Sequence, residues 1–204
     1  MKPPLPRVHA VTDERVARRA DLDRVAADLA AGGGAALAFH ARGRALSGAE
    51  HFELAARLAG QRPARLFVND RLDVALATPA TGVQLGRGGL TPEDARRLEP
   101  EWWIGVSVHD LDEARAAQAL GADYLLVGTV FPTASHPERT PLGLSGVAGV
   151  AALGLPVVAI GGITPARIAA VRAAGAYGVA AIRGLWNALE PDAAARQMLE
   201  GLTG

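Results

Sequence analysis

The sequence of 204 residues contains no cysteine and a single lysine, Lys2. Without cysteine the chain forms no disulfide, carries no thiolate nucleophile and offers no Cys ligand for zinc. With its one lysine at the second position, it has no buried lysine for Schiff-base chemistry. These absences exclude several classes of enzyme before any motif is considered.

The sequence also lacks an excess of either charge and any long apolar run. Its 21 basic and 21 acidic side chains cancel, whereas proteins that bind nucleic acid or anionic membranes carry a basic surplus. No stretch approaches the ~20 apolar residues of a membrane span. The first residues, MKPPLPRVHAVTD, lack the apolar run of a signal peptide. We therefore expect a cytoplasmic protein with neither nucleic-acid nor membrane partners.

Short apolar runs alternate with alanine-rich amphipathic segments along the whole chain, which predicts one domain over residues 1–204. The apolar runs lack strict alternation, as in strands of a parallel sheet that are buried on both faces. Strands are predicted at Arg7–Val11, Ala35–Phe39, Arg65–Val68, Gly82–Leu85, Trp103–Val106, Tyr124–Val127, Pro156–Ile160 and Gly178–Ile182. Helices are predicted at Leu22–Ala31, Gly48–Ala59, Arg71–Ala77, Thr91–Leu98, Leu111–Leu120, Val147–Leu153, Pro165–Ala174 and Asp192–Leu202.

Eight such units in about 200 residues fit a compact α/β fold, the single-domain (β/α)8 TIM barrel. An open doubly wound sheet shows the same alternation but usually has fewer strands. The pairs Thr91-Pro92 and Thr164-Pro165 each place a capping hydroxyl before a proline at the first helical position. Glycines stand where three helices should end, at Gly121, Gly154 and Gly175.

Candidate phosphate-binding groups follow three of the predicted strands, and in a barrel the loops after the strands form the active face. The amides of Gly161, Gly162 and Ile163 precede a helix and suit an anion, although a tight turn also explains the glycines. Ile182 and Arg183 add amides and a positive charge after strand eight. The longest loop, in VGTVFPTASHPERTP, is rich in hydroxyls. We expect this face to bind a phosphorylated ligand.

Asn69 and Asp70 end strand three, where a carboxylate and an amide suit Mg²⁺ and a substrate, or simply cap the next helix. The following loop, GRGGL, offers no second carboxylate, so a magnesium site at Asp70 is doubtful. Ser107 and His109 are two residues apart on a strand, which puts both side chains on one side.

Three histidines, His40, His109 and His136, fall in loops of the predicted active face. Histidine transfers protons near neutral pH, although a capping or structural role explains His109 slightly better. No His-x-x-x-His pair occurs, so we expect no histidine-bound metal.

Several stretches together resemble the thiamine phosphate synthase/TenI superfamily over essentially the whole chain. They are VTD, LFVNDRLDVAL, GVQLG, GVSVHDLDEARAAQALGADYLLVGTVFPT, PVVAIGGITP and GVAAI. The resemblance implies a TIM barrel of thiamine biosynthesis. In its synthase branch a pyrimidine diphosphate is joined to a thiazole phosphate, with Mg²⁺ helping the diphosphate to depart.

The resemblance also implies roles for individual residues. The thiazole phosphate would be bound by Thr133, Ser135, Gly162, Ile182 and Arg183. Asn69 and Ser107 would lie by the pyrimidine, with Asp70 as the magnesium ligand.

The sequence departs from the synthase pattern where the diphosphate should bind. The family's Gln-x-Arg-x-Lys after strand two is Ala38, His40 and Arg42 here, and its second magnesium aspartate is Gly89. The lysine that closes the Pro-Thr-x-Thr loop is His136. Fewer cations and carboxylates mean weaker stabilisation of a departing diphosphate. We therefore expect the pocket to hold one monophosphate and to have too little positive charge for a second, longer anion.

That pattern resembles the TenI branch, the thiazole tautomerases, which aromatise a carboxythiazole phosphate by proton transfer without metal or other cofactor. The chemistry requires a phosphate site and an acid/base group. The histidine that the TenI pattern has after strand six is Thr129 here. Our main hypothesis is therefore a tautomerase in which His136 or His109 carries the proton.

Two other functions stay open. One is a divergent synthase that requires Mg²⁺ and uses His40, Arg42 and Arg139 in place of the missing groups, since arginine binds phosphate well. The other is a regulatory relative that binds a thiazole ligand without turnover. Large aromatic side chains are enriched at protein interfaces. The three tryptophans therefore suit either a homo-oligomer contact or the core, and they are Trp102, Trp103 and Trp186.

Overall fold

A computed structural model describes residues 2–133 and 140–203. Eight parallel strands form a closed barrel in which each strand pairs with the next and the eighth returns to the first. This architecture confirms the predicted (β/α)8 barrel. The strands are β1 Val8–Val11, β2 Leu37–Ala41, β3 Arg65–Asn69, β4 Gly82–Leu85, β5 Trp103–Val108, β6 Tyr124–Val127, β7 Val157–Ile160 and β8 Gly178–Ala181.

Helices lie between the strands at the positions that the alanine-rich segments predict. They are α1 Glu14–Ala17, α2 Leu22–Gly33, α3 Gly48–Ala59, α4 Leu72–Leu76, α5 Pro92–Leu98, α6 Leu111–Ala119, α7 Gly143–Ala151, α8 Pro165–Ala173, α9 Arg183–Trp186 and α10 Pro191–Thr203, with a 3₁₀ turn at Gly34–Ala36. The sequence did not predict α1 and α9, because a single turn is too short to show helical periodicity. Helix α7 begins at Gly143 rather than at the predicted Val147, and its start carries no side-chain cap that could have marked it in the sequence.

The two predicted threonine caps differ. Thr91 accepts a hydrogen bond from the Asp94 amide and forms a capping box at the start of α5. Thr164 occupies the capping position of α8 and Pro165 follows it, but the Thr164 hydroxyl makes no capping hydrogen bond. The predicted hydrogen bond is therefore wrong at Thr164. The predicted glycines end their helices with φ of 85°, 88° and 94° at Gly121, Gly154 and Gly175.

The barrel interior is filled by inward-facing side chains and closed below by the N-terminal segment. The larger core lies between the strands and the surrounding helices, and a smaller cluster that includes Leu5, Phe67 and Tyr124 fills the barrel. The Tyr177 hydroxyl donates to the Leu5 carbonyl (2.6 Å), and Trp103 Nε1 donates to the Pro3 carbonyl (2.8 Å). These bonds hold the segment across the amino-terminal end of the barrel.

The core accounts for two of the three tryptophans, since Trp102 and Trp186 are 4% and 0% exposed. No oligomeric contact is needed to explain their burial. In the part of the chain that the structure describes, every helix is too short or too polar to cross a bilayer.

Candidate active site

A cavity of about 810 Å³ opens at the carboxyl ends of the strands. Such a volume lies within the range that suits small-molecule ligands. The loops after the strands line it, so residues far apart in sequence meet there. Most of the sequence-predicted site residues are among its walls, namely Asn69, Asp70, Ser107, His109, Thr133, Gly162, Ile182 and Arg183.

The loop between β7 and α8 exposes a row of backbone amides at the cavity. Gly161 and Gly162 have φ of 102° and 64°, and residues other than glycine rarely adopt this backbone conformation. Among the described residues, none accepts a hydrogen bond from the amides of Gly162, Ile163 and Thr164, nor from the Thr164 hydroxyl. Open amides at a helix N-terminus form an anion site.

Two arginines flank these amides. Arg183 Nη2 donates to Thr133 Oγ1 (3.3 Å), which joins the loops after β8 and β6. Arg167 donates to the Gly162 carbonyl (2.7 Å), and its guanidinium lies 4.5 Å from the centroid of the Phe131 ring. Neither arginine is ion-paired with a described carboxylate. This side of the cavity therefore combines open amides with positive charge that no described carboxylate compensates.

A second group of arginines lines the cavity at the ends of other strands. Arg42 and Arg44 follow β2 and Arg87 follows β4. In a closed ring of eight strands β4 lies opposite β8, and β2 is two strands away from it. Burial, and then the neighbouring charge of Arg44, lower the pKa of Arg42. Arg87 pairs with Glu113, whereas Arg42 and Arg44 form no ion pair with a described residue.

Asp70 is the one carboxylate among the described residues that line the cavity. Its Oδ1 accepts a hydrogen bond from the Gly86 amide (2.7 Å), and its φ is 60°. Asp tolerates this left-handed conformation better than most residues, and such positions cluster at functional sites. Within residues 2–133 and 140–203, no group of three or more His, Cys, Asp or Glu side chains is arranged to hold a metal ion.

A buried polar chain supports Ser107 from below. Gln84 Nε2 donates to Ser107 Oγ (3.0 Å), and the Tyr124 hydroxyl donates to Gln84 Oε1 (2.8 Å). Burial raises the pKa of Tyr124 well above 10, so its hydroxyl stays protonated. Sequence reasoning missed Gln84, although a glutamine inside a predicted buried strand is itself a signal, because buried polar groups need partners.

The candidate histidines fall in different places. His109 lines the cavity, and its Nδ1 lies 2.9 Å from Glu113 Oε2. His40 is 0% exposed and lies beneath Asn69, where its Nδ1 is 3.1 Å from Asn69 Oδ1. Because it is buried, His40 can influence a ligand only through Asn69. His136 lies outside the described residues, as do Ser135 and Arg139.

The cavity's lining carries more positive charge than the sequence led us to expect. Five arginines and one carboxylate stand among the described lining residues. Sequence reasoning considered Arg42 and Arg183 but not Arg44, Arg87 or Arg167. Arg44 and Arg87 each follow a predicted strand within a few residues, and that position could have indicated that they lie on the active face. Arg167 lies on the first turn of α8 and faces the cavity only because of how that helix packs.

The family model described as "Thiamine monophosphate synthase" matches residues 8–185 of the chain. The chain belongs to this family. The predicted superfamily is therefore confirmed, and with it an enzyme of thiamine biosynthesis.

Within this thiamine monophosphate synthase family, the chain is similar in sequence and in structure to proteins that are named as synthases. A thiamine-phosphate synthase of Moorella thermoacetica is 46% identical over 143 residues, which are 69% of this chain and 68% of that protein. One of Chlorobium phaeobacteroides is 38% identical over the full length of both chains. The structure titled thiamine phosphate pyrophosphorylase from Pyrococcus furiosus has a TM-score of 0.82 and 31% identity, with 96% of this chain and 95% of that chain covered.

Proposed function

We propose that this protein is a thiamine-phosphate synthase that joins a pyrimidine diphosphate to a thiazole phosphate. The observation that carries the proposal is the division of the cavity's arginines into two groups, one after β7 and β8 and one after β2 and β4. The tautomerase substrate carries one phosphate and a small carboxylate on a single molecule, whereas a synthase binds a diphosphate in addition to a monophosphate, and the diphosphate needs more positive charge. The names and identities of the relatives add support.

The β7–β8 side suits the thiazole phosphate. A monophosphate can accept hydrogen bonds from the amides of Gly162 and Ile163 and from the Thr164 hydroxyl, while Arg183 and Thr133 close the site from the other loop. Charge-assisted hydrogen bonds of this kind are about twice as strong as neutral ones. Together these groups hold the thiazole at a defined depth in the mouth.

The β2–β4 side suits the diphosphate. Arg42 and Arg44 provide two cations there that no described carboxylate pairs with, and Arg87 lines the cavity while paired with Glu113. A guanidinium binds phosphate oxygens in pairs. Asp70 is placed to hold Mg²⁺, which typically takes one or two carboxylates and completes its shell with water and substrate phosphates. Such an ion would neutralise charge on the departing diphosphate. With Gly89 where a second carboxylate would stand, the arginines carry more of that stabilisation.

The proposed reaction forms a bond from the thiazole nitrogen to the pyrimidine's methylene carbon while the carbon–oxygen bond to diphosphate breaks. The protein contributes chiefly by holding the two anionic ends apart, so that the reacting atoms meet between them. Positive groups fixed around the leaving diphosphate stabilise its developing charge in the transition state. Ser107 and Asn69 line the same cavity.

One observation favours a second candidate, the thiazole tautomerase. His109 lines the cavity and Glu113 orients its ring, an arrangement suited to proton transfer. Proton transfer would need that histidine within reach of the thiazole ring carbon.

The deciding experiment incubates the purified protein with pyrimidine diphosphate and thiazole phosphate, with and without Mg²⁺, and measures thiamine phosphate by chromatography. We expect coupling, faster with Mg²⁺. A parallel incubation with carboxythiazole phosphate follows aromatisation by ultraviolet absorbance. Aromatisation without coupling would replace the synthase by the tautomerase. Binding of the thiazole phosphate without either product would indicate a non-catalytic relative.

A further inference from the structure

A chain of buried hydrogen bonds runs through the barrel interior from the N-terminal segment to the floor of the cavity. His9 Nε2 lies 3.0 Å from the Pro6 carbonyl oxygen, and His9 Nδ1 lies 2.8 Å from His40 Nε2. His40 Nδ1 then lies 3.1 Å from the side-chain amide of Asn69, which lines the cavity. Both histidines are 0% exposed.

The proton positions along this chain follow from its lower end. The Pro6 carbonyl only accepts hydrogen bonds, so His9 Nε2 carries a hydrogen. A neutral imidazole has one N–H, which leaves His9 Nδ1 as an acceptor. His40 Nε2 must therefore donate to it, and His40 Nδ1 is left as an acceptor in its turn.

An acceptor at His40 Nδ1 requires a donor from Asn69. The atom placed opposite is Asn69 Oδ1, but the oxygen and nitrogen of an amide exchange places by a half-turn of the side chain. No described residue other than His40 hydrogen-bonds to the Asn69 amide, so the turn breaks no other contact.

An additional proton on the histidine pair is the alternative that would keep Asn69 Oδ1 as the acceptor. It would place a positive charge between two rings that no water reaches. Phe67 stacks on His40 at 5.2 Å and lies 5.7 Å from the His9 ring, so the surroundings are apolar. Burial accordingly lowers the pKa of His9 to about 4 and that of His40 well below 6.5. The pair is neutral at physiological pH.

We propose that the His9–His40 pair is a positioning relay that turns the Asn69 amide so that Nδ2 donates to His40 and Oδ1 faces the cavity. Asn69 then selects a ligand that presents an N–H donor at this point. Resting on the proposed function, that donor is the exocyclic amino group of the pyrimidine. His40 contacts no substrate and acts through Asn69.

The first test is nuclear magnetic resonance of the ligand-free protein labelled with ¹⁵N at histidine. We expect both His9 and His40 to carry their hydrogen on Nε2 between pH 6 and 8, with signals assigned by single substitution. A hydrogen on His40 Nδ1, or a doubly protonated ring, would overturn the relay.

The second test compares two substitutions at one position. His40→Gln can still donate to His9 and accept from Asn69, whereas His40→Leu can do neither. The probes are pyrimidine diphosphate and its analogue with methyl in place of the amino group. Wild type and His40→Gln should prefer the amino compound by about tenfold in kcat/KM, the value of roughly one hydrogen bond, and His40→Leu should lose the preference. An unchanged preference in His40→Leu would contradict the proposal.

The two tests separate the relay from the proposed function, because the first needs no activity. If coupling is absent and the ligand-free spectra show the expected tautomers, the synthase proposal fails and the relay stands. If coupling is present and His40 carries its hydrogen on Nδ1, the relay fails alone. Should His40→Leu not fold, the spectra of the wild-type protein still decide.

Discussion

Arginine side chains determine what the cavity can bind, and at the scale of the residue their lack of carboxylate partners matters most. A surface arginine that is paired with a carboxylate, such as Arg196 with Asp192, adds little to stability and has its charge compensated. Arg42 and Arg183 have no such partner among the described residues, so their charge remains available to an anion. The two follow different strands, β2 and β8, and under the proposed function they should serve different substrates.

Substitution of each arginine should therefore affect one substrate. Arg42→Ala should raise the KM for pyrimidine diphosphate about ten- to hundredfold, and Arg183→Ala should do the same for thiazole phosphate, since a hydrogen bond to a charged group contributes ~1.5–3 kcal/mol. Steady-state kinetics with each substrate varied in turn measures both effects. Arg196→Ala is the matched control and should change neither KM. Equal effects of Arg42→Ala on both substrates would contradict two separate anion sites.

At the scale of the element, the proposed anion site in the β7–α8 loop depends on two consecutive glycines, Gly161 and Gly162, whose positive φ lets the loop line the cavity. A Cβ at Gly162 would lie 2.8 Å from both Phe131 Cβ and the Pro132 carbonyl oxygen, and the φ of 64° adds strain. The neighbouring loop therefore approaches too closely for any side chain.

Gly162→Ala should destabilise the fold by about 1–2 kcal/mol and raise the KM for thiazole phosphate, because the loop must shift to admit the methyl group. Gly149→Ala is the matched control. It lies in α7, where an added Cβ meets nothing within 4 Å, and it should stabilise the protein by about 0.5–1 kcal/mol with unchanged kinetics. Urea unfolding and steady-state kinetics measure the two effects. A KM unaffected by Gly162→Ala would argue against phosphate at this loop.

At the scale of the whole molecule, two uncharged histidines inside the barrel make stability depend on pH. The pKa of His9 is lowered from 6.5 to about 4, because burial disfavours its charged form. Between these values the unfolded chain binds a proton that the folded chain does not, so stability falls as the pH falls. Above pH 6.5 the histidine is neutral in both states and the effect is absent.

The free energy of unfolding should therefore decrease by about 3 kcal/mol from His9 alone between pH 6.5 and pH 4. His40 acts in the same direction. Carboxylates whose pKa is lowered, such as Asp73 beside Arg71, lose their contribution only at lower pH. Urea unfolding at several pH values measures the slope, which His9→Gln should reduce. An identical slope in wild type and variant would show that His9 is not buried uncharged.

The barrel itself could be predicted from the sequence, because its signals are local. Apolar runs, proline and threonine at helix starts and glycine at helix ends all act within a few residues, and eight repeats leave few topologies. The loops that form the site could then be predicted as well, because the parallel strands of a barrel bring their carboxyl ends to one face. The positions of Asn69, Asp70, Ser107 and Gly162 at the cavity follow from that rule.

What required the tertiary structure was the environment of each side chain. His40 and Arg42 are two residues apart in the same strand and loop, yet one is buried under Asn69 and the other lines the cavity. The sequence shows which residues carry charge, but only packing across the barrel decides which charges lack a partner and face the same space. Burial and charge compensation depend on neighbours from other strands, such as His9 and Asn69, which lie 31 and 29 positions from His40 in the chain, and electrostatic energies depend strongly on such surroundings.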